Sequence, residues 1–373
     1  MGNLTLSMLL SPEQLAAYLW QYALFLAVMF MLLSFATVGK RHKTACLLFA
    51  AFLVFIAGFR NQHLTNDTYI YISVFKEFTS GFSYVTGYME SGYILYNKFL
   101  AMFSDNAQIV LFFNALITIA GYYFCYTRYA TNPYLAFMIF ALTPVDGYVR
   151  ILNLSRQYLA IGILMFAVQF IVKRSLWRYL ALVFIAGTFH TAAFTAVILY
   201  FLYDIKLKKK YILTSLAVVA LLIFTPVMDA FISLMQRTVF TRFVHYHEEG
   251  FKAAAAMNAL VSLGIFSFII ITYRKYKDKI KMPISPDFLT WTSFVTFCIY
   301  AVSMVSPTFD RLAYIFSGIT ILGFSNFIML YPARKRLLII FTICLFFIIC
   351  SSIFFIYRPE WGMPLPYRFF FQG

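Results

Sequence analysis

The sequence predicts an all-α polytopic membrane protein. Hydrophobic residues make up 62% of its 373 residues and charged residues 12%, whereas a soluble domain carries about 45–50% and 25%. Apolar runs near the length that crosses about 30 Å of hydrocarbon recur along the whole chain. Lysine and arginine gather in the short loops between these runs, as the positive-inside rule requires. That clustering accounts for the net charge of +16 and leaves no reason to invoke nucleic acid. One transmembrane domain, 1–373, is expected, with no soluble partner domain.

About eleven hydrophobic segments follow in order: 14–38, 44–59, 107–127, 134–149, 154–172, 177–203, 211–232, 254–273, 287–306, 312–331 and 337–357. The first is too long for a signal peptide and lacks a small-residue cleavage site, so no cleavable leader is expected. Basic loops at 39–43, 173–178, 204–210, 273–281 and 332–336 are expected on the cytoplasmic side. Alternation then puts the N-terminus, the 60–106 segment, the 233–253 loop, the 306–311 turn and the C-terminal tail outside. Within 60–106, Tyr69, Tyr71, Phe75 and Phe78 suggest an amphipathic helix on the membrane surface. The piece around 88–103 is too short to span and dips beside it.

Segment 177–203 breaks the alternation, because basic loops flank both of its ends. It cannot cross twice at 1.5 Å per residue. Its middle reads AGTFHTAAF. Two half-helices meeting at a polar tip near 187–191, a broken helix or re-entrant hairpin, reconcile length with charge. His190 sits at that tip, facing the outer side.

The topology sorts the cations. Eight arginines and three lysines fall outside, where positive charge is normally scarce. Any one of Arg60, Arg150, Arg156, Arg237, Arg242, Arg311, Arg358 and Arg368 could simply snorkel or pair with an outer acid. As a set they suit a phosphate-bearing or acidic ligand, because the guanidinium fork matches such groups bidentately. Arg156-Gln157 opens a membrane helix behind Asn153 and Ser155, which are placed to cap it, and helix N-termini attract anions. Asp67, in Asn66-Asp67-Thr68, reads equally as helix cap or as ligand. Asp310-Arg311 reads as a local ion pair, and Asp146 and Arg150 flank a turn after Pro144. His245 and His247 lie in a loop next to Glu248 and Glu249, without a second ligand cluster. The five cysteines lie in apolar runs without metal-ligand spacing. No metal and no cofactor are expected.

The order FR…ND..Y..Y, then E.GY, then RQ at a helix start, H.A in the next apolar run and DR..Y near the end resembles the EpsG-like branch of bacterial polysaccharide polymerases. These are relatives in role of the Wzy O-antigen polymerases. The resemblance covers about 58–315. Where relatives of that branch carry a Gly-Asp style pair, this chain has Asn66-Asp67. The resemblance implies a multi-pass protein of the bacterial cytoplasmic membrane with a GT-C-like architecture and an active site facing the periplasm or exterior. It implies polymerisation of undecaprenyl-diphosphate-linked oligosaccharide repeat units into O-antigen or a related surface polysaccharide, with a chain-length regulator as a possible partner beside membrane lipid. The site residues it implies are His190, Glu90 and Asp67 for catalysis. Arg156, Arg60 and Arg311 bind the lipid diphosphate, and Gln157, Tyr69, Arg150 and Tyr314 contact substrate. An O-antigen ligase, or a flippase or other transporter of lipid-linked glycans, are the alternatives.

Overall fold

The computed structural model describes residues 11–38, 42–80, 89–144, 146–228, 230, 233, 253–306, 309–357 and 367–372. Arg237, Arg242, His245, His247, Glu248, Glu249 and Arg358, with nearly all of the 233–253 loop, lie outside them. The described residues are helical. Among the described residues, six helices are long and apolar enough to cross a membrane: α1 (Pro12–Val38), α5 (Gln108–Tyr129), α8 (Ser155–Val172), α12 (Ala253–Tyr276), α14 (Asp310–Ile328) and α15 (Ala333–Tyr357). Others are α2 (His42–Gly58), α6 (Pro133–Leu142), α9 (Leu176–Phe189), α10 (Val197–Leu202), α11 (Lys209–Phe224) and α13 (Pro286–Ser303). This is the all-α polytopic architecture that the apolar runs predict.

The centre of the bundle is α14, buried at every residue from Ala313 to Ile328, against α13, α6 and α12. On the other side α5 lies along α8, and glycine sets their approach. A Cβ on Gly121 would lie 2.0 Å from the Gly162 carbonyl oxygen, and one on Gly162 2.6 Å from Thr118 Cα. Small residues at a crossing let membrane helices touch backbone to backbone, which matters where lipid supplies no hydrophobic drive between them. Polar side chains in the interior satisfy themselves locally. Thr118, Thr292 and Thr296 each donate to the carbonyl four residues back at 2.7–2.8 Å. Outward faces are apolar, with Trp20, Leu24, Phe224, Leu337 and Phe341 exposed.

The run 134–149 is not one helix. α6 has ten residues, about 15 Å of rise. Thr143, which precedes Pro144, is extended (φ −60°, ψ 119°), since proline excludes its predecessor from helix. A turn then feeds the six-residue α7 (Tyr148–Asn153). Within 60–106 two short helices form, α3 (Asn66–Ser80) and α4 (Ser91–Ala101). The buried side of α3 carries Thr68, Tyr71, Ile72, Val74 and Phe75 and packs on α4, α5, α7 and α8. That face therefore meets protein. Tyr69 is 61% exposed, because two residues on a helix differ by about 200° and cannot share a face. The start of α3 is fixed by α7: Thr65 and Thr68 hydroxyls donate to the Leu152 carbonyl at 3.0 and 3.3 Å, and the Asp67 amide donates to Asn153 Oδ1 at 3.2 Å. Asn153 thus caps α3. Neither it nor Ser155, which accepts from Asn114 Nδ2 at 3.1 Å, caps α8, whose N-terminus has no side-chain cap.

The segment 367–372 returns to the end of α2. The Asn61 amide donates to the Arg368 carbonyl at 2.9 Å and the Phe370 amide to the Phe59 carbonyl at 3.0 Å. Gln21 of α1 holds both backbone groups of Tyr367.

Candidate active site

The chain leaves the α-helix at His190, the last residue of α9's cap, whose backbone is extended (φ −154°, ψ 116°). A 3₁₀ turn over Thr191–Ala196 follows, then α10. Thr191 opens that turn with an amide that no helical carbonyl can take, since the first amides of any helix lack partners. It donates to Glu90 Oε1 at 3.1 Å, and the Thr191 hydroxyl donates to the same oxygen at 2.9 Å. Glu90, at the N-cap position of α4, makes no cap bond to its own helix. Its other oxygen, Oε2, accepts from Arg156 Nη1 at the start of α8. One carboxylate therefore ties together α4, α8 and the break after α9.

The tie depends on how closely α4 approaches α9. A Cβ on Gly92 would lie 2.2 Å from Thr188 Oγ1 and 2.8 Å from the Thr188 carbonyl oxygen. Glycine two residues after Glu90 lets the α4 start press on the α9 end two residues before His190. The His190 Nδ1 then sits 3.6 Å from Glu90 Oε1, and it has no hydrogen-bond partner within the protein.

Arg156 and Arg311 both lie within electrostatic reach of Asp67 and of His190. Gln157 Nε2 donates to the Arg311 carbonyl at 2.6 Å, joining the start of α8 to the start of α14. Burial pushes the Asp67 carboxyl above the usual carboxylate range, opposed by the charges of Arg311 and Arg156. Beneath Arg156 lie Tyr93, whose ring centroid is 6.0 Å from the guanidinium carbon, and Tyr71, edge-on to Tyr93 at 6.0 Å. The Glu90 and Arg156 side chains keep 20% and 17% of their surface exposed. An arginine has five donors, so Arg156 can hold Glu90 and still present N–H groups to a ligand.

Six of the ten sequence-predicted residues converge here: His190, Glu90, Asp67, Arg156, Gln157 and Arg311. The other four do not join them by direct contact. Arg60 is fully buried, donating to the Ala57 carbonyl and to Thr68 Oγ1, where it braces the α2–α3 connection under the site. Tyr69 faces outward and stacks on His63 at 6.5 Å. Tyr314 is buried, donating to Asp310 Oδ2 at 3.2 Å and packing against Tyr158 and Tyr300. Arg150 lies among the same tyrosines and close to Asp310. Thr191 received no role from sequence, although a threonine directly after the histidine at a helix break was the available signal.

A family model described as the EpsG family matches residues 43–369. The chain belongs to the EpsG family. No curated protein and no solved structure matches it. Membership makes it a multi-pass membrane protein of polysaccharide biosynthesis. The EpsG match spans every residue of the cluster, from Asp67 to Arg311.

Proposed function

We propose that this chain polymerises lipid-diphosphate-linked oligosaccharide repeat units, as a glycosyltransferase of the bacterial cytoplasmic membrane whose site faces the exterior. The observation that carries the reading is the convergence of Arg156 and Arg311 on one place with Glu90, Asp67 and His190. In the reaction, the acceptor sugar hydroxyl bonds to the anomeric carbon of the growing glycan. The bond from that carbon to the undecaprenyl diphosphate oxygen breaks, and the hydroxyl proton passes to a base. Charge develops on the departing diphosphate, so preorganised cations aimed there supply the largest catalytic contribution. Arg156 and Arg311 take that role, and Glu90 fixes the orientation of the Arg156 fork. His190 takes the proton. Its Nδ1 faces Glu90, which leaves Nε2 for the acceptor. Asp67 faces the same arginines and suits a sugar hydroxyl. Arg60 supports the site from below.

Binding of the polyprenyl carrier tests the diphosphate role. The purified chain should bind undecaprenyl diphosphate at least tenfold more tightly than undecaprenyl monophosphate. Arg156→Lys and Arg311→Lys should each remove most of that difference, because a lysine keeps the charge and loses the fork. Equal binding of the two carriers by the wild-type chain would contradict the assignment.

A further inference from the structure

The break after α9 has an inner side and an outer side. His190 is buried, whereas Thr191 is exposed, and both lie against Glu90 Oε1. An apolar stripe begins at Thr191. Thr191–Ala196 is a 3₁₀ turn, in which side chains three residues apart eclipse, so Phe194 stands on the same edge as Thr191. Ile198 follows four residues on, one turn further into α10. Phe194 is 40% exposed and Ile198 50%. The Phe194 ring folds back onto α9 at Gly187, where a Cβ would lie 2.4 Å from it. Its centroid is 6.3 Å from that of Phe184, which is 64% exposed. Ala192, Ala193 and Ala196 are buried, so the turn has one packed face and one open face.

From the break, α9 and α10 both lead toward the basic loops at 173–178 and 204–210. The stripe therefore descends from the Glu90–Arg156 pair along the side of the bundle. An outward apolar face is ordinary in a membrane protein. This one differs in what stands at its head. The Thr191 hydroxyl donates to one oxygen of the carboxylate whose other oxygen holds Arg156.

We propose that the Thr191–Phe194–Ile198 stripe, with Phe184 beside it, seats the first isoprene units of the polyprenyl carrier. This rests on the lipid-linked substrate proposed above and adds where its lipid part lies. Membrane lipid tails are as apolar as the stripe, so hydrophobicity alone does not choose between them. Tethering does. A chain anchored by its headgroup at Arg156 stays at high effective concentration beside the stripe, and bulk lipid does not. The phenylalanine rings add large, rigid contact surfaces for a branched chain. The arrangement also separates the two ends of the substrate. The tail leaves on the open Thr191 side, and the sugar lies on the enclosed His190 side.

Photocrosslinking tests the stripe on the purified full-length chain in phospholipid nanodiscs with radiolabelled undecaprenyl diphosphate. Benzoylphenylalanine would replace Phe194, Ile198 or, as a control, Phe341. Phe341 is as exposed as Phe184, at 64%, on α15, which packs on α6 and α14. Labelling from the Phe194 and Ile198 positions should exceed that from the Phe341 position by about tenfold or more, the lower range of a tethering advantage. Excess unlabelled undecaprenyl diphosphate should suppress it at Phe194 and Ile198 alone. Equal labelling at all three positions would overturn the stripe and leave bulk lipid as its occupant. If that chain still preferred the diphosphate carrier over the monophosphate, the headgroup reading would stand without it. Selective labelling at Phe194 and Ile198 that undecaprenyl monophosphate gives equally would keep the stripe and remove the diphosphate assignment instead.

Discussion

Glu90 is the side chain on which the site turns. Each of its oxygens is engaged, one by Arg156 and the other by the Thr191 amide and hydroxyl. Truncating one partner of a largely enclosed pair leaves the other charge without compensation. Glu90→Ala and Arg156→Ala should each destabilise the chain, and the double variant by less than their sum. The coupling should be about 0.5–3 kcal/mol, the range for residues in one network. A coupling near zero in a thermal double-mutant cycle would mean that the pair does not hold the elements together. Glu90→Gln keeps the shape and removes the charge, and turnover should fall about 10²-fold or more. Asp67 gives a pH signature. Its carboxyl is pushed up by burial, so ionisation costs stability in the folded state. That cost is absent below the ordinary carboxylate value near 4 and complete above the raised one. Asp67→Asn should therefore unfold at a higher temperature than wild type at pH 7 and at the same temperature near pH 3.5, while losing activity. Asp67→Asn less stable than wild type at pH 7 would reverse the sign and refute the burial argument. Stability surrendered at a charged residue is a usual mark of a functional site.

Two close approaches between helices position these side chains. At the first, Gly92 meets Thr188. Gly92→Val leaves the Glu90–Arg156–His190 side chains intact in sequence but forces α4 away from α9. Activity should fall about 10²-fold, as misplacement by about 1 Å does elsewhere, while Thr188→Gly in the same chain should restore part of it. At the second, Gly121 and Gly162 bring α5 onto α8. Gly162→Leu has backbone in its way and should cost about 1–3 kcal/mol or prevent folding. Much at this scale was legible in the sequence. The arginine at a helix start, the acid before Gly-Tyr and the histidine in an apolar run each broke a local rule, and such breaks mark sites. The kink after α9 was legible because length and flanking charge disagreed. What was not legible came from tertiary packing. The face of α3 was misassigned at Tyr69 because aromatic content alone does not give helical phase. The arginines could not be ranked by burial, so Arg60 read as a surface group. The turn after Pro144 was legible, whereas the apolar run 134–149 did not show that the helix before it has only ten residues.

Across the whole molecule, the ends of α3, α4, α8, α9 and α14 meet where the chain departs from simple helix-and-loop alternation. Composition and the long unbroken apolar runs sufficed to read the all-α membrane class, because a membrane barrel alternates apolar and polar residues instead. The side of the membrane rests on loop charge, and labelling checks it. A cysteine at the exposed Tyr69 should react with a membrane-impermeant maleimide on intact cells, and one at Lys208 only after permeabilisation. The reverse pattern would put the site on the cytoplasmic face and rule out an exterior polymerase. The most direct test of the account uses the purified chain alone with its host's undecaprenyl-diphosphate-linked repeat unit, the products being resolved by length. The account predicts a ladder of glycans on the lipid carrier, formed without nucleotide sugar and lost in Arg311→Gln. Intact substrate in the presence of folded wild-type chain would contradict it, and a single product formed only when a lipid A core acceptor is added would make the chain a ligase instead.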